Sequence, residues 1–142
     1  MIITQPKELI GAFVNLRQGH RPDAPWGNFN ALGLVRNGQL VAGVIYNDYS
    51  AKNVYAHIGA DLGCRWLTKE FLFAMFDYPF NELGLHRVTA LIRATNSRAI
   101  EFVGNLGFTE EGRMRHYFID DDAVIYGLLR DKCRFLEMRK AA

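Results

Sequence analysis

A glycine-containing segment between a predicted strand and a predicted helix is the first feature of this sequence that could do chemistry. The strand ends at Gly59 and Ala60, and residues 61–64 lead into a helix that we expect to begin at Arg65. A helix start presents unpaired backbone N–H groups and a partial positive charge, which suits a pyrophosphate group. The same pattern also occurs as a plain connection between two elements, so by itself it leaves both interpretations open.

The two cysteines do not indicate a metal site. Cys64 and Cys133 form no CxxC pair and have no histidine at metal-ligand spacing, so we predict that the protein holds no metal. Isolated cysteines are typical of reduced thiols in the cytoplasm. Residues 1–16 lack the features of a signal peptide, and the strongly apolar stretch 71–76 is too short to span a bilayer. We therefore expect a cytoplasmic protein without a membrane partner.

The composition predicts one folded domain with no direct role in nucleic-acid binding. The chain has 142 residues, 49% of them hydrophobic and 23% charged, and its 17 Lys and Arg residues nearly balance 15 Asp and Glu residues. The basic residues are scattered, whereas a nucleic-acid-binding domain usually carries a continuous basic surface. Because no repeat, linker or low-complexity segment divides the chain, residues 1–142 are predicted to form a single domain.

Local patterns predict alternating helices and strands. Asn37-Gly38 is a strong hairpin turn, because both residues accept a positive φ. Asn96 is an expected helix N-cap and Gly107 an expected left-handed C-cap, while Pro79 is expected to kink the end of the long central helix. The predicted order is helix 6–16, strands 32–36, 39–46 and 53–59, helix 65–83, strand 86–94, helix 97–106, and strands 112–119 and 123–129. This order indicates an α+β fold.

An ordered set of short motifs runs from the glycine-containing segment towards the end of the chain. The motifs are Arg65-Trp66-Leu67-Thr68, Tyr78-Pro79-Phe80, residues 83–90, Asn96-Ser97-Arg98-Ala99, Leu106-Gly107-Phe108, Glu111-Gly112 and residues 126–130. In this order they resemble the GNAT N-acetyltransferases, especially the branch that includes the ribosomal-protein N-terminal acetyltransferases and short bacterial and phage members. The matching motifs cover roughly half of the chain, and their ordered combination is far more specific than any one of them.

The resemblance implies a fold and a place for the cofactor. The fold is a mixed, mostly antiparallel sheet of six to seven strands with helices on both faces, in which the fourth strand splays away from the fifth. The pantetheine arm of acetyl-CoA enters the gap and bonds to exposed backbone as an added strand does. By this resemblance, the cofactor-binding residues are Ile58, Gly59 and Ala60 near the thioester, the amides of Gly63, Cys64, Arg65, Trp66, Leu67 and Thr68 around the pyrophosphate, and Asn96.

The sequence departs from the family pattern at two places. The pyrophosphate loop of the family usually carries G-x-G, and the two glycine positions here are Gly63 and Arg65, so an arginine charge would replace the second glycine. Many members also place a Tyr or Ser on the second helix of this region to protonate the departing thiolate. The matching positions here are Ala99 and Val103, so Tyr117 or a water molecule is the candidate acid. For Asn96, a simple N-cap is an equally good explanation.

The implied reaction needs a neutral amine that attacks a polarised thioester carbonyl. His57 is the candidate general base, because it lies on the strand that borders the acetyl group and an imidazole titrates near neutral pH. If the strand turns this side chain away from the gap, His57 is an ordinary buried histidine. A weak base would favour α-amines, whose pKa is about 7.8, over lysine ε-amines, whose pKa is about 10.4.

The prediction is an acetyl-CoA-dependent N-acetyltransferase that modifies a primary amine, either a protein N-terminus or a small molecule. Candidate acceptors include a ribosomal protein, and the expected assembly is a monomer or a homodimer. The alternative is a catalytically degenerate GNAT domain that binds a CoA ester or a protein partner without turnover. Arg65, Ala99 and Val103 motivate that alternative, because each departs from the family pattern.

Overall fold

The structure is a computed structural model that describes residues 1–61, 63 and 65–137. Its helices and strands follow the predicted order, with one short strand added at the start. The elements are β1 (Ile2–Ile3), α1 (Lys7–Arg17), β2 (Phe29–Arg36), β3 (Gln39–Ser50), β4 (Asn53–Ala60), α2 (Lys69–Asp77), β5 (Arg87–Arg93), α3 (Ser97–Leu106), β6 (Thr109–Phe118) and β7 (Asp121–Leu129). A π-helical turn, Tyr78–Glu82, follows α2, and two 3₁₀ turns, Arg130–Lys132 and Arg134–Glu137, follow β7.

The strands form one seven-stranded sheet in the order β1-β2-β3-β4-β5-β7-β6. Every neighbouring pair is antiparallel except β4 and β5, which run parallel because α2 crosses over between them. The predicted mixed, mostly antiparallel α+β sheet is therefore confirmed.

Helices cover both faces of the sheet, as predicted. Alternation along β3 sends Gly43 and Ile45 to one face and Val44 and Tyr46 to the other. The first face packs on α1, whose core side chains are Ile10, Phe13 and Val14. The second face packs on α2 and α3 in a larger core that includes Phe71, Phe76, Val103 and Leu106. Among the residues that the structure describes, α1 is the only helix on its face, so it is the helix that borders β4 from that side.

The central helix begins later and ends differently than predicted. The apolar spacing predicted helix 65–83, but α2 begins at Lys69, with Thr68 as its N-cap. Leu67 is 39% exposed and lies before the helix. At the other end, Pro79 has no N–H to donate to the Met75 carbonyl, and the Tyr46 hydroxyl donates to that carbonyl instead at 2.5 Å. The backbone then widens into the π-helical turn rather than simply kinking.

Two cap predictions are confirmed, and every predicted strand except β5 is longer than predicted. Asn96 Oδ1 accepts from the Ala99 N–H at 3.1 Å, and Gly107 closes α3 with a φ of 101°. The strand β2 reaches back to Phe29 because it stays paired with β3 there, and β3 reaches Ser50 because Ser50 pairs with Asn53 of β4. Within the described residues, no helix is both long enough and apolar enough to cross a bilayer.

Candidate functional site

The parallel strands β4 and β5 are paired over only three residues. The pairs are Asn53 with Arg87, Val54 with Val88, and Tyr55 with Thr89. Beyond them β4 stays paired with β3 as far as Ala60, and β5 stays paired with β7 as far as Arg93. The two strands therefore separate from each other while each keeps its outer neighbour. The result is a wedge-shaped opening bordered by Ala56–Ala60 on one side and residues 90–93 on the other.

The backbone of β4 presents hydrogen-bonding groups to this wedge. The Asp61 N–H donates to the Val41 carbonyl of β3 at 2.8 Å. Because the backbone groups of successive residues in a strand point to alternate sides, those of His57 and Gly59 also face β3, and those of Ala56, Ile58 and Ala60 face the wedge. The Ile58 carbonyl fits this assignment, since it accepts a hydrogen bond from the Gln18 side chain at 3.2 Å.

The C-terminal end of α1 lies directly against the open half of β4. A Cβ atom on Gly59 would lie 3.0 Å from Arg17 Cβ and 3.1 Å from Val14 Cα, so only a glycine lets the helix backbone come this close. The Arg17 guanidinium pairs with the Asp61 carboxylate, with Nη2 2.7 Å from Oδ1. These contacts fix the end of α1 beside the wedge.

The predicted pyrophosphate segment is only partly available for anion binding. Because α2 begins at Lys69, residues 65–68 precede the helix, which corrects the predicted helix start at Arg65. The Thr68 N–H donates to the Trp66 carbonyl at 3.0 Å, so it is not free to bind a phosphate as predicted. Thr68 Oγ1 accepts from the Phe71 N–H at 3.1 Å. Cys64 lies outside the described residues.

Exposed cationic side chains surround this segment. The ring of Trp66 lies 5.4 Å from that of Phe102 on α3, which joins the segment before α2 to α3. Arg98 is one helical turn before Phe102 and so lies on the same side of α3. Arg65, next to Trp66, and Arg98 are both exposed, as is Lys69 at the first position of α2. A Cβ on Gly63 would lie in open space, with no atom within 4 Å apart from its chain neighbours.

His57 points from β4 towards α1, with its ring half-buried against Trp26 at a centroid distance of 4.9 Å. Its Nε2 atom lies 2.8 Å from Asn47 Oδ1. Asn47 Nδ2 donates to the Trp26 carbonyl, so Oδ1 is the acceptor in the contact with His57. This assigns the hydrogen to Nε2 and leaves Nδ1 as an acceptor. Burial lowers the pKa of His57 to about 4 and keeps the ring neutral at pH 7.

Tyr117 and Asn96 are placed differently with respect to the wedge. Tyr117 is 54% exposed on β6, and both β7 and β5 lie between that strand and the wedge. The structure therefore does not bring Tyr117 together with His57. Asn96 follows β5 at the end where the wedge opens, because β4 and β5 are parallel and end on the same side. Its Oδ1 atom is occupied as the cap of α3, which leaves its Nδ2 group facing outward.

Sequence patterns did not identify Gln18 or the Arg17–Asp61 pair. Arg17 and Gln18 lie at the end of α1, whereas their partners Asp61 and Ile58 come about 40 residues later in the chain. A local pattern shows that α1 is amphipathic, but it does not show which part of the sheet the helix end will meet. Among the described residues, no group of three or more His, Cys, Asp or Glu side chains is arranged to hold a metal ion.

Comparison with known proteins gives one curated relative and many similar structures. No protein-family model matches the chain. An uncharacterized N-acetyltransferase p20 from Bacillus licheniformis is 33% identical over 76 residues, which are 51% of this chain and 43% of that protein. The match thus spans less than half the length of this curated relative.

Two solved acetyltransferase structures superimpose over nearly the whole chain. A mutant of spermidine N-acetyltransferase SpeG from Vibrio cholerae has a TM-score of 0.76 at 15% identity, over 98% of this chain and 99% of that chain. The ribosomal-protein-S5-alanine acetyltransferase from Vibrio fischeri has a TM-score of 0.70 at 15% identity, over 94% and 93% of the two chains. The resemblance inferred from the motifs is confirmed, and the chain has the fold of the GNAT superfamily of N-acetyltransferases.

Proposed function

We propose that this protein transfers the acetyl group of acetyl-CoA to a primary amine. The separation of β4 from β5 after Tyr55 and Thr89 is the observation that carries the proposal. Regular parallel strands remain paired along their length, since each unpaired backbone group loses a hydrogen bond. A wedge held open between two strands that keep their outer partners is suited to an extended ligand that pairs as an added strand.

The residues around the wedge fit an acyl-CoA. The backbone of Ala56, Ile58 and Ala60 offers N–H and C=O groups to a pantetheine arm, whose two amides alternate donors and acceptors in the same way. The exposed Arg65, Lys69 and Arg98 side chains suit its phosphates. When bound, acetyl-CoA supplies a thioester whose carbonyl carbon accepts the amine. A wedge-facing N–H of β4 would donate to the thioester carbonyl oxygen and so polarise it.

The environment of His57 favours an acceptor amine of low pKa. At pH 7, protonation of an imidazole whose pKa is about 4 is unfavourable by about 3 pKa units, or ~4 kcal/mol. His57 therefore serves as a neutral hydrogen-bond acceptor through Nδ1 rather than as a strong base, and the amine must lose its first proton to solvent. An α-amino group, with a pKa of about 7.8, meets this requirement far better than a lysine.

No acidic side chain occupies the two family positions on α3 that were considered for the departing thiolate. Val103 is buried in the core, and Ala99 packs against the same core. A thiol with a pKa of about 8.5 is a good enough leaving group to depart as the thiolate when the C–S bond breaks. The attacking nitrogen gives its second proton to water as the amide forms, and the thiolate takes a proton from water. We therefore assign the acid role to water, because Tyr117 lies on the far edge of the sheet.

The location, assembly and acceptor of the protein are part of the same proposal. We place the protein in the cytoplasm as a single domain, monomeric or dimeric, with a protein α-amine as acceptor. A ribosomal protein is one candidate acceptor, since the similar Vibrio fischeri structure carries a ribosomal protein in its name.

Binding and turnover test the proposal separately. Calorimetric titration with CoA and acetyl-CoA measures binding, and a thiol-reactive dye measures CoA release in the presence of a panel of α-amino peptides and polyamines. We expect binding and amine-dependent release of one CoA for each acetylated product found by mass spectrometry. Binding without release across the panel would favour a degenerate domain. No binding at millimolar acetyl-CoA would contradict the proposal.

A further inference from the structure

The end of α1 places one polar side chain on the backbone of the wedge. Gln18 is the C-cap residue of α1, and its Nε2 atom donates to the Ile58 carbonyl oxygen at 3.2 Å. Ile58 is the middle of the three residues of β4 that face the wedge. The side chain therefore spans from α1 to a carbonyl that the β3–β4 ladder does not use.

This carbonyl is also the acceptor that a strand-like ligand would need. An added strand bonds to every second residue of its neighbour, which on the open half of β4 means Ala56, Ile58 and Ala60. A ligand amide at the centre of the wedge therefore meets the Ile58 carbonyl in the place where Gln18 Nε2 now lies. The two donors compete for one acceptor group.

We propose that Gln18 occupies the Ile58 carbonyl when the acyl-CoA is absent and is displaced by an amide of the pantetheine arm. This inference rests on the proposed function, because it concerns the same wedge. It makes Gln18 a residue that weakens cofactor binding, since one internal hydrogen bond must be broken before the ligand bond forms.

The neighbouring contacts hold the helix in place while the side chain moves. Arg17 pairs with Asp61 at 2.7 Å, and its guanidinium carbon lies 3.8 Å above the Phe13 ring centroid. Gly59 packs against Val14 Cα. Displacement of Gln18 is therefore a rotation about side-chain bonds and needs no shift of α1. The exposed position of Gln18 lets its amide find water after displacement.

The test compares CoA binding to the wild-type protein and to two variants at this position. Gln18→Met keeps the length of the side chain but donates no hydrogen bond, and Gln18→Ala removes the side chain. Since a net hydrogen bond is worth a factor of about two to ten in an equilibrium constant, both variants should lower the Kd for CoA by about two- to tenfold. Gln39→Ala, at an exposed glutamine on the β2–β3 hairpin, should leave the Kd unchanged.

The outcomes separate this inference from the proposed function. Wild-type protein that binds CoA, with unchanged or weaker binding in Gln18→Met and Gln18→Ala, would overturn the competition while leaving the acetyltransferase proposal in place. Failure of all four proteins to bind CoA would overturn both. Thermal unfolding midpoints that match the wild type show that the variants are folded. If Gln18→Ala is destabilised, Gln18→Met alone provides the comparison of Kd values.

Discussion

His57 Nε2 and Asn47 Oδ1 lie 2.8 Å apart on adjacent strands, where β4 has already left β5. Asn47 is 7% exposed and also donates to the Trp26 carbonyl, so it holds the histidine ring and the loop before β2 in one hydrogen-bonded unit. The unit contains a histidine that is neutral at pH 7 and resists protonation. This property has a consequence for the stability of the protein in acid.

The free energy of unfolding should fall as the pH drops from about 6.5 to about 4. In this window the unfolded chain binds a proton at His57, whose ordinary pKa is about 6.5, while the folded protein does not, because burial lowers the pKa to about 4. The full contribution is on the order of 3 kcal/mol. Above its ordinary pKa, His57 is neutral in both the folded and the unfolded protein, so it no longer makes the stability depend on pH.

Chemical unfolding of wild type and His57→Gln at half-unit steps from pH 4 to 7.5 measures this effect. Glutamine can still donate a hydrogen bond to Asn47, but it does not titrate. The difference in the pH dependence of stability between the two proteins therefore comes from His57 and not from the carboxylates, which both proteins share. The variant should lose part of the pH dependence seen in the wild type. Parallel curves for the two proteins would contradict a lowered pKa at His57.

Two glycine-to-alanine substitutions should change stability in opposite directions. At Gly59 the new methyl group would meet Val14 Cα at 3.1 Å, and since that atom is backbone, α1 must move away from β4. We expect Gly59→Ala to lower the free energy of unfolding by about 1–3 kcal/mol. Gly104 lies within α3, and apart from its chain neighbours and the backbone of its own helix no atom lies within 4 Å of the added group, so Gly104→Ala should raise it by about 0.5–1 kcal/mol.

Urea unfolding of both variants tests the close approach of α1 to β4. Equal stability of Gly59→Ala and wild type would mean that the helix does not lie against the open half of the strand. The wedge would then lack the wall that places Gln18 on Ile58. A higher free energy of unfolding for Gly104→Ala shows that the assay resolves changes of this size.

Asn96 provides a test that separates a cap from a cofactor ligand. Removal of the Oδ1 bond to the Ala99 N–H by Asn96→Ala should cost about 1 kcal/mol of stability. Asn96→Ser keeps an N-cap acceptor but loses the outward Nδ2 group. If Asn96 is only a cap, the serine variant should match wild type in both thermal midpoint and Kd for acetyl-CoA. A normal midpoint with a Kd weakened several-fold would instead identify Nδ2 as a cofactor contact.

Local features of the sequence predicted much of the fold, whereas features that depend on contacts between distant segments could not be predicted from it. Asn96 and Gly107 were correctly predicted as caps, because a cap depends on residues three or four positions away. The start of α2 was predicted too early, since Leu67 continues the apolar spacing of the helix but is exposed and precedes the true cap at Thr68. Family resemblance, rather than periodicity, predicted the splayed strands.

The details of the site depended on tertiary packing. Strand parity could not show that His57 would face Trp26 and be held neutral, because its partner Asn47 belongs to another strand. Tyr117 was chosen by residue type, but the strand order places it on β6, with both β5 and β7 between it and β4. The contact of Gln18 with Ile58 depends on where α1 crosses the sheet, which is set by the glycines at positions 43 and 59.

The preference for an α-amine can be tested with two matched peptides. One has a free N-terminus and an acetylated lysine, and the other an acetylated N-terminus and a free lysine. If the amine must lose its proton without help from a strong base, kcat/KM follows the neutral fraction of each amine. With pKa values of about 7.8 and 10.4, the α-amine should react about 10²- to 10³-fold faster at pH 7, and the ratio should shrink to about 20- to 30-fold at pH 9. Equal rates at pH 7, or a ratio of rates that does not change with pH, would show that the site deprotonates the amine itself. His57, or another group beside the wedge, would then act as a strong general base.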